Sequence, residues 1–152
     1  MKTITLLIAA ILSGCATSYR IDPSKISVAV GPTSAHCGEN DNEVRAVLMV
    51  KNEGRAVLTI GVDGKSGPPF DISWLYYVVL DDSGKVDWKH GPGGHGPMPP
   101  STLRIGPGDS TSVSASIYQI NTDNYSQKFR IKFEDLEGHS YTTSSFIPCI
   151  SS

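Results

Sequence analysis

Apolar and polar residues alternate with a period of two along most of the chain, and turn residues separate the runs. Side chains of a strand point to opposite faces in turn, so this pattern predicts half-buried strands. Ile26, Val28 and Val30 alternate before Gly31-Pro32. Val44, Ala46, Leu48 and Val50 share one face, with Glu43 and Arg45 on the other. Asn52-Glu53-Gly54 reads as a tight turn, with Ala56, Leu58 and Ile60 on a returning strand and Gly61 to Pro69 as a loop. Ser73 to Leu80 is apolar on both faces and reads as a covered central strand with Trp74 and Tyr76 in the core. Val86 and Trp88 begin a short partner, and Leu103 and Ile105 lead into the turn Gly106-Pro107-Gly108-Asp109.

The clearest alternation comes last. Val113, Ala115 and Ile117 interleave with serines, and Phe129, Ile131 and Phe133 interleave with Lys128, Arg130 and Lys132. Asp135-Leu136-Glu137-Gly138 predicts a hairpin, and Tyr141 to Ile147 a closing strand. The chain after residue 25 shows no convincing helical period. Seven to nine short strands with frequent turns predict an all-β, antiparallel sandwich over residues 26–152. The segments Val50-Lys51-Asn52-Glu53-Gly54 and Ile105-Gly106-Pro107-Gly108-Asp109-Ser110 resemble Ig-like or fibronectin-III-like domains of bacterial lipoproteins. The resemblance departs from true immunoglobulin domains, because neither Cys37 nor Cys149 lies inside a strand expected to carry the inter-sheet disulfide.

The N-terminus differs in kind. Lys2 precedes an apolar run from Ile4 to Leu12, the n-region and h-region of a secretory signal. The run is shorter than the roughly 20 apolar residues a spanning helix needs. Leu12-Ser13-Gly14-Cys15 follows and resembles the bacterial lipobox at each of its four positions. The resemblance implies cleavage after residue 14, with Cys15 diacylglyceryl-modified and then N-acylated, so that palmitate-type chains anchor the protein. Two or more acyl chains anchor stably, at about 0.8 kcal/mol per buried CH₂. Ala16, not Asp, follows the cysteine, which implies sorting to the outer membrane with the protein facing the periplasm. Residues 15–25 would then be the lipidated cysteine and a polar tether.

Composition narrows the function. The chain has 13 basic and 15 acidic residues, and cleavage would remove Lys2. That balance gives no support to a nucleic-acid partner, whose readers carry a strongly basic face. Gly 15 and Pro 10 are spread between apolar runs as turn punctuation, not gathered in a disordered segment. With Cys15 lipidated, Cys37 and Cys149 form an even pair in an exported domain, which favours a disulfide over two free thiols.

Lys89 to Pro100 is the one long segment without a strand pattern, and such loops often carry function. It contains His90, Gly93, His95 and Met98, expected to contact a partner; alternatively His90, His95 and Met98 would ligate copper, which suits His and Met in an oxidising compartment. The same protruding loop would serve an inhibitor or immunity lipoprotein. Lys128, Arg130 and Lys132 read as a solvated face that blunts an edge strand. Asp81-Asp82-Ser83 lacks the alternating spacing of a calcium loop and reads as turn chemistry. No nucleophile elbow, zinc-protease motif or phosphate loop is present, so no enzyme is expected. The expected function is a lipid-anchored, non-catalytic binding module of the cell envelope, with an envelope protein or ligand as partner and no cofactor.

Overall fold

The computed structural model describes residues 19–31, 43–64, 67–73, 75–79, 89–90, 101–118 and 127–147. A 3₁₀ turn, Pro23–Lys25, precedes strands β1 (Ile26–Val30), β2 (Glu43–Asn52), β3 (Leu58–Val62), β4 (Phe70–Asp71) and β5 (Leu75–Val79). Then come β6 (Lys89–His90), β7 (Ser101–Ile105), β8 (Ser110–Tyr118), β9 (Phe129–Glu134) and β10 (Ser140–Thr142). The protein is an all-β sandwich whose described strand pairs are antiparallel except β4 beside β8, and seven of these strands have five residues or more.

One sheet has the order β1-β2-β8-β4. Its ladder pairs Leu48 with Val113 and Ala46 with Ala115, and all four side chains are fully buried. The facing sheet runs β10-β9-β5-β6, and the ribbon β3-β7 continues it lengthwise. Leu136 N–H donates to Thr59 O at 3.0 Å and Ile60 bridges Asp135, so β3 abuts the edge of β9 that β5 occupies further down. Phe129, Ile131 and Phe133 project from β9 into the core, which also takes Leu58, Ile60, Leu75, Ile105 and Ile117.

Several sequence expectations change here. β3 does not return beside β2. The chain crosses to the opposite sheet through residues 53–57, and β3 pairs with β7. β5 is apolar on both faces, so alternation cannot choose its inward side; cross-strand pairing does. Leu75, opposite Phe133, is the core residue, whereas Tyr76, opposite Lys132, lies on the outer face. Lys132 Nζ sits 4.2 Å from the Tyr76 ring centroid, a cation–π contact. Trp74 lies outside the described residues. β9 is flanked by β10 and β5 and is not an edge, so Arg130 and Lys132 do not guard one. Instead Lys132 covers Tyr76, and Arg130 Nε donates to Thr143 O at 3.3 Å. The closing strand is interrupted after Thr142, where the Thr143 hydroxyl accepts from Ile131 N–H and Phe146 resumes pairing with Phe129.

Two of the crossings between sheets, β2 to β3 and β7 to β8, meet at Asn52, which has no exposed surface. Its Nδ2 donates to Ala56 O at 2.7 Å and Ile105 O at 2.9 Å, and its Oδ1 accepts from Gly54 N–H at 2.9 Å. Its backbone N–H donates to Asp109 O, and its carbonyl accepts from Gly108 N–H. A Cβ at residue 54 would come within 3.1 Å of Oδ1, so glycine there lets the amide close on the turn.

Two substitutions test this frame. Leu48→Ala should cost about 2–5 kcal/mol in chemical denaturation, whereas Met49→Ala, at a side chain 42% exposed, should stay within about 0.5 kcal/mol. Asn52→Leu should cost at least about 1–3 kcal/mol, because it leaves buried backbone groups of Ala56, Ile105 and Gly54 without partners.

Candidate functional site

The residues singled out in the sequence fall mostly outside the described residues. Cys15, Cys37, Cys149, Gly93, His95 and Met98 are among them, so neither the disulfide nor a His/Met cluster is placed. His90 is placed by its backbone on β6, paired with Tyr76. Ser101, the first residue of β7, pairs with Val62. The described residues on either side of 91–100 thus lie on β6, at the end of the second sheet, and on β7 of the ribbon. Among the described residues, no three His, Cys, Asp or Glu side chains converge as metal ligands. Likewise no helix there is long and apolar enough to cross a membrane.

Two polar clusters went unnoticed in the sequence. The first closes the β9–β10 hairpin, where Gly138 takes the positive φ of 84° that the turn needs. Asp135 is 1% exposed, and its Oδ1 accepts from Glu137 N–H and His139 N–H, each at 2.9 Å. Its Oδ2 accepts from Tyr141 Oη at 2.7 Å and lies 2.9 Å from His139 Nδ1. Burial by itself raises the Asp135 pKa, but the bonds from Tyr141, His139 and Glu137 outweigh it and hold the carboxyl below its ordinary value. Burial and the same carboxylate push the Tyr141 hydroxyl up. A carboxylate with its lone pairs committed to one turn, beside a tyrosine that resists ionisation, has nothing left to offer a substrate. This cluster is a hairpin lock.

The second cluster is open to solvent, where the N-terminal segment meets the end of the sandwich. Ile21 is 8% exposed and belongs to the core, so the polar segment expected as a tether is laid against the domain from Tyr19 onward. Asp22 caps the 3₁₀ turn by accepting from Ser24 N–H at 3.0 Å and Ser24 Oγ at 2.7 Å. Pro23 starts the turn, where its missing N–H costs nothing. Glu53 N–H donates to Lys25 O at 2.8 Å and fastens the segment to the β2–β3 crossing. A cleft of about 380 Å³ results, lined by Tyr19, Arg20, Asp22, Lys25, Glu53 and Arg55. The Arg55 guanidinium lies 6.0 Å from the Tyr19 ring centroid. Hydrogen bonds from Ser24 lower the Asp22 pKa, and the Lys51 ammonium, 2.8 Å away, lowers that of Glu53. The signal that could have found this site is Ile21 followed by Asp22-Pro23-Ser24, a lone apolar residue beside a capping sequence.

No protein-family model matches the chain, and no curated protein does. Among solved structures the chain is similar to structural-genomics target SoR45, at 13% identity over 82% of this chain and 86% of that one, with a TM-score of 0.43. It is similar to the archaellum periplasmic stator protein FlaG from Sulfolobus acidocaldarius, at 16% identity over 80% and 99% of the two chains, TM-score 0.37. The ASH/PapD-like domain of human CEP192 matches at 14% identity over 100% and 99%, TM-score 0.33. Likenesses this distant carry no argument about function, and the fold stands on its own strand registers.

The hairpin lock predicts a pH dependence. A carboxyl held below its ordinary value of 3.8 contributes stability that is fully present above that pH. The contribution is lost as the pH falls through the lowered folded-state value. Asp135→Asn should cost about 1–3 kcal/mol at neutral pH and flatten the stability profile below about pH 4. Urea titrations of both proteins across the acid range would check this.

Proposed function

We propose that the chain is a lipid-anchored, non-catalytic binding module of the cell envelope, attached through Cys15 and facing the periplasm from the outer membrane. The lipobox Leu12-Ser13-Gly14-Cys15 carries the address. The contact reading rests mainly on one observation: the 91–100 segment leaves β6 at His90 and rejoins at Ser101, both on outer strands. A segment inserted between outer strands can present side chains to a partner without disturbing the core, and its prolines limit the entropy lost on binding. His90, Gly93, His95 and Met98 are the proposed contact residues, with an envelope protein or ligand as partner. A disulfide between Cys37 and Cys149 would fasten the C-terminus to the β1–β2 connection, at about 4–5 kcal/mol for a loop of over 100 residues in the chain-entropy model.

Cys15→Ser should leave an uncleaved precursor or a form that no longer fractionates with membranes as the processed protein does. Normal processing and fractionation of the variant would overturn the anchor. Replacing residues 91–97 by a two-residue turn should keep the denaturation midpoint and abolish capture of envelope partners by crosslinking. Persistent capture would place the contact surface elsewhere.

A further inference from the structure

The cationic cleft and the shortness of the chain before it have a joint consequence. Only four chain steps separate Cys15 from Tyr19, and four residues span at most about 14 Å when extended. Ile21 is buried in the core, and the Lys25 carbonyl accepts from Glu53 N–H, so residues from Tyr19 onward travel with the domain. With the lipid on Cys15, the β2–β3 end of the sandwich is held against the bilayer surface.

The chemistry of that end suits the surface. Arg20, Lys25 and Arg55 are exposed, and none makes an ion pair within 4.0 Å with a described residue. Of the two acids of the cleft, Glu53 is paired with Lys51 at 2.8 Å, whereas Asp22 accepts from the neutral Ser24 and keeps its charge near Lys25. Tyr19, 55% exposed, and Val57, 36% exposed, add apolar surface at the same end. Tyrosine favours the headgroup level, where its ring is half in hydrocarbon and its hydroxyl stays wet. Asp109 and Glu137 on the neighbouring turns keep the end as a whole from being basic. With Glu53 paired to Lys51, three cations face the single carboxylate of Asp22 in the cleft, so attraction to anions is concentrated there.

We propose that the cleft of Tyr19, Arg20, Lys25 and Arg55 docks on the membrane and takes the phosphate of anionic lipid headgroups, setting the orientation of the anchored domain. This rests on the lipid anchor at Cys15. The arginines bind the phosphate oxygens through paired N–H donors, Lys25 adds a point charge, and Tyr19 enters the interface beside Arg55.

The test uses the mature, acylated protein in phosphatidylcholine vesicles with and without phosphatidylglycerol, read by hydrogen–deuterium exchange. Backbone amides of residues 19–25 and 53–57 should exchange more slowly on the phosphatidylglycerol vesicles, by about fivefold for each cation engaged. Amides of β2, β8 and β9 should not respond. The pair Arg20→Gln and Arg55→Gln should erase the difference while the protein remains in the vesicle fraction. Equal exchange on both vesicles overturns the dock, as does protection by inorganic phosphate that ignores vesicle composition, since the cleft would then be a soluble-anion site. Mass spectrometry of the Cys15 peptide separates the two claims. An unlipidated peptide overturns anchor and dock together, whereas lipidated protein with equal exchange overturns the dock alone.

Discussion

A sandwich must carry its chain from one sheet to the other without leaving backbone polar groups stranded in the core, and here one side chain meets that constraint twice. Asn52 ends β2, where the chain departs for the second sheet, and it lies beside the β7–β8 turn, where the chain comes back. Its amide satisfies a carbonyl and an N–H of the departing segment and the last carbonyl of β7. Among the described residues no buried side-chain nitrogen or oxygen lacks a hydrogen-bond partner, and a network in which each member is bonded fixes one arrangement of the strands around it. The tether cleft depends on the same point, since Glu53 and Arg55 stand on the crossing that Asn52 holds.

The strands with one wet face were legible from alternation. β8 and β9 have serine or charged residues between their apolar ones, and their core faces follow from that contrast; in β2 only Arg45 and Lys51 flank the apolar stretch Ala46 to Val50 and set its register. β5 was legible as a strand but not as an orientation, because Leu75 to Val79 has no polar residue to mark the outside. The partner of β3 was not legible either. A tight turn after an alternating strand normally returns beside it, whereas here β3 pairs with β7 and the buried Asn52 bonds the backbone of the crossing. The break after Thr142 rests on a hydroxyl taking the place of a ladder acceptor, which no periodicity announces.

The polar clusters illustrate a further limit. Asp135, His139 and Tyr141 sit close in sequence, yet the hairpin alone makes them converge, and what looks in isolation like a reactive set turns out to be saturated. Conversely, Arg20 and Arg55 are 35 positions apart, and nothing in either neighbourhood marks the other. They meet because Ile21, a single apolar residue in a polar stretch, is drawn into the core. A lone hydrophobic residue is too weak a pattern to register as an element, but it is enough to decide where a segment lies.

The outline of the sheets bears on how such a domain behaves when many copies crowd a surface. The interior strands β2, β8, β9 and β5 are 10, 9, 6 and 5 residues long, while among the described residues no outer strand exceeds five. Among the described residues the second sheet ends in the two-residue β6, the ribbon in the five-residue β7, and the first sheet in the two-residue β4. Strand-to-strand polymerisation needs a long, flat row of unpaired donors and acceptors. Among the described residues no outer strand offers such a row. Neighbours confined to two dimensions would meet often but find little backbone to zip along, so the domain can be packed densely and still remain a collection of individuals.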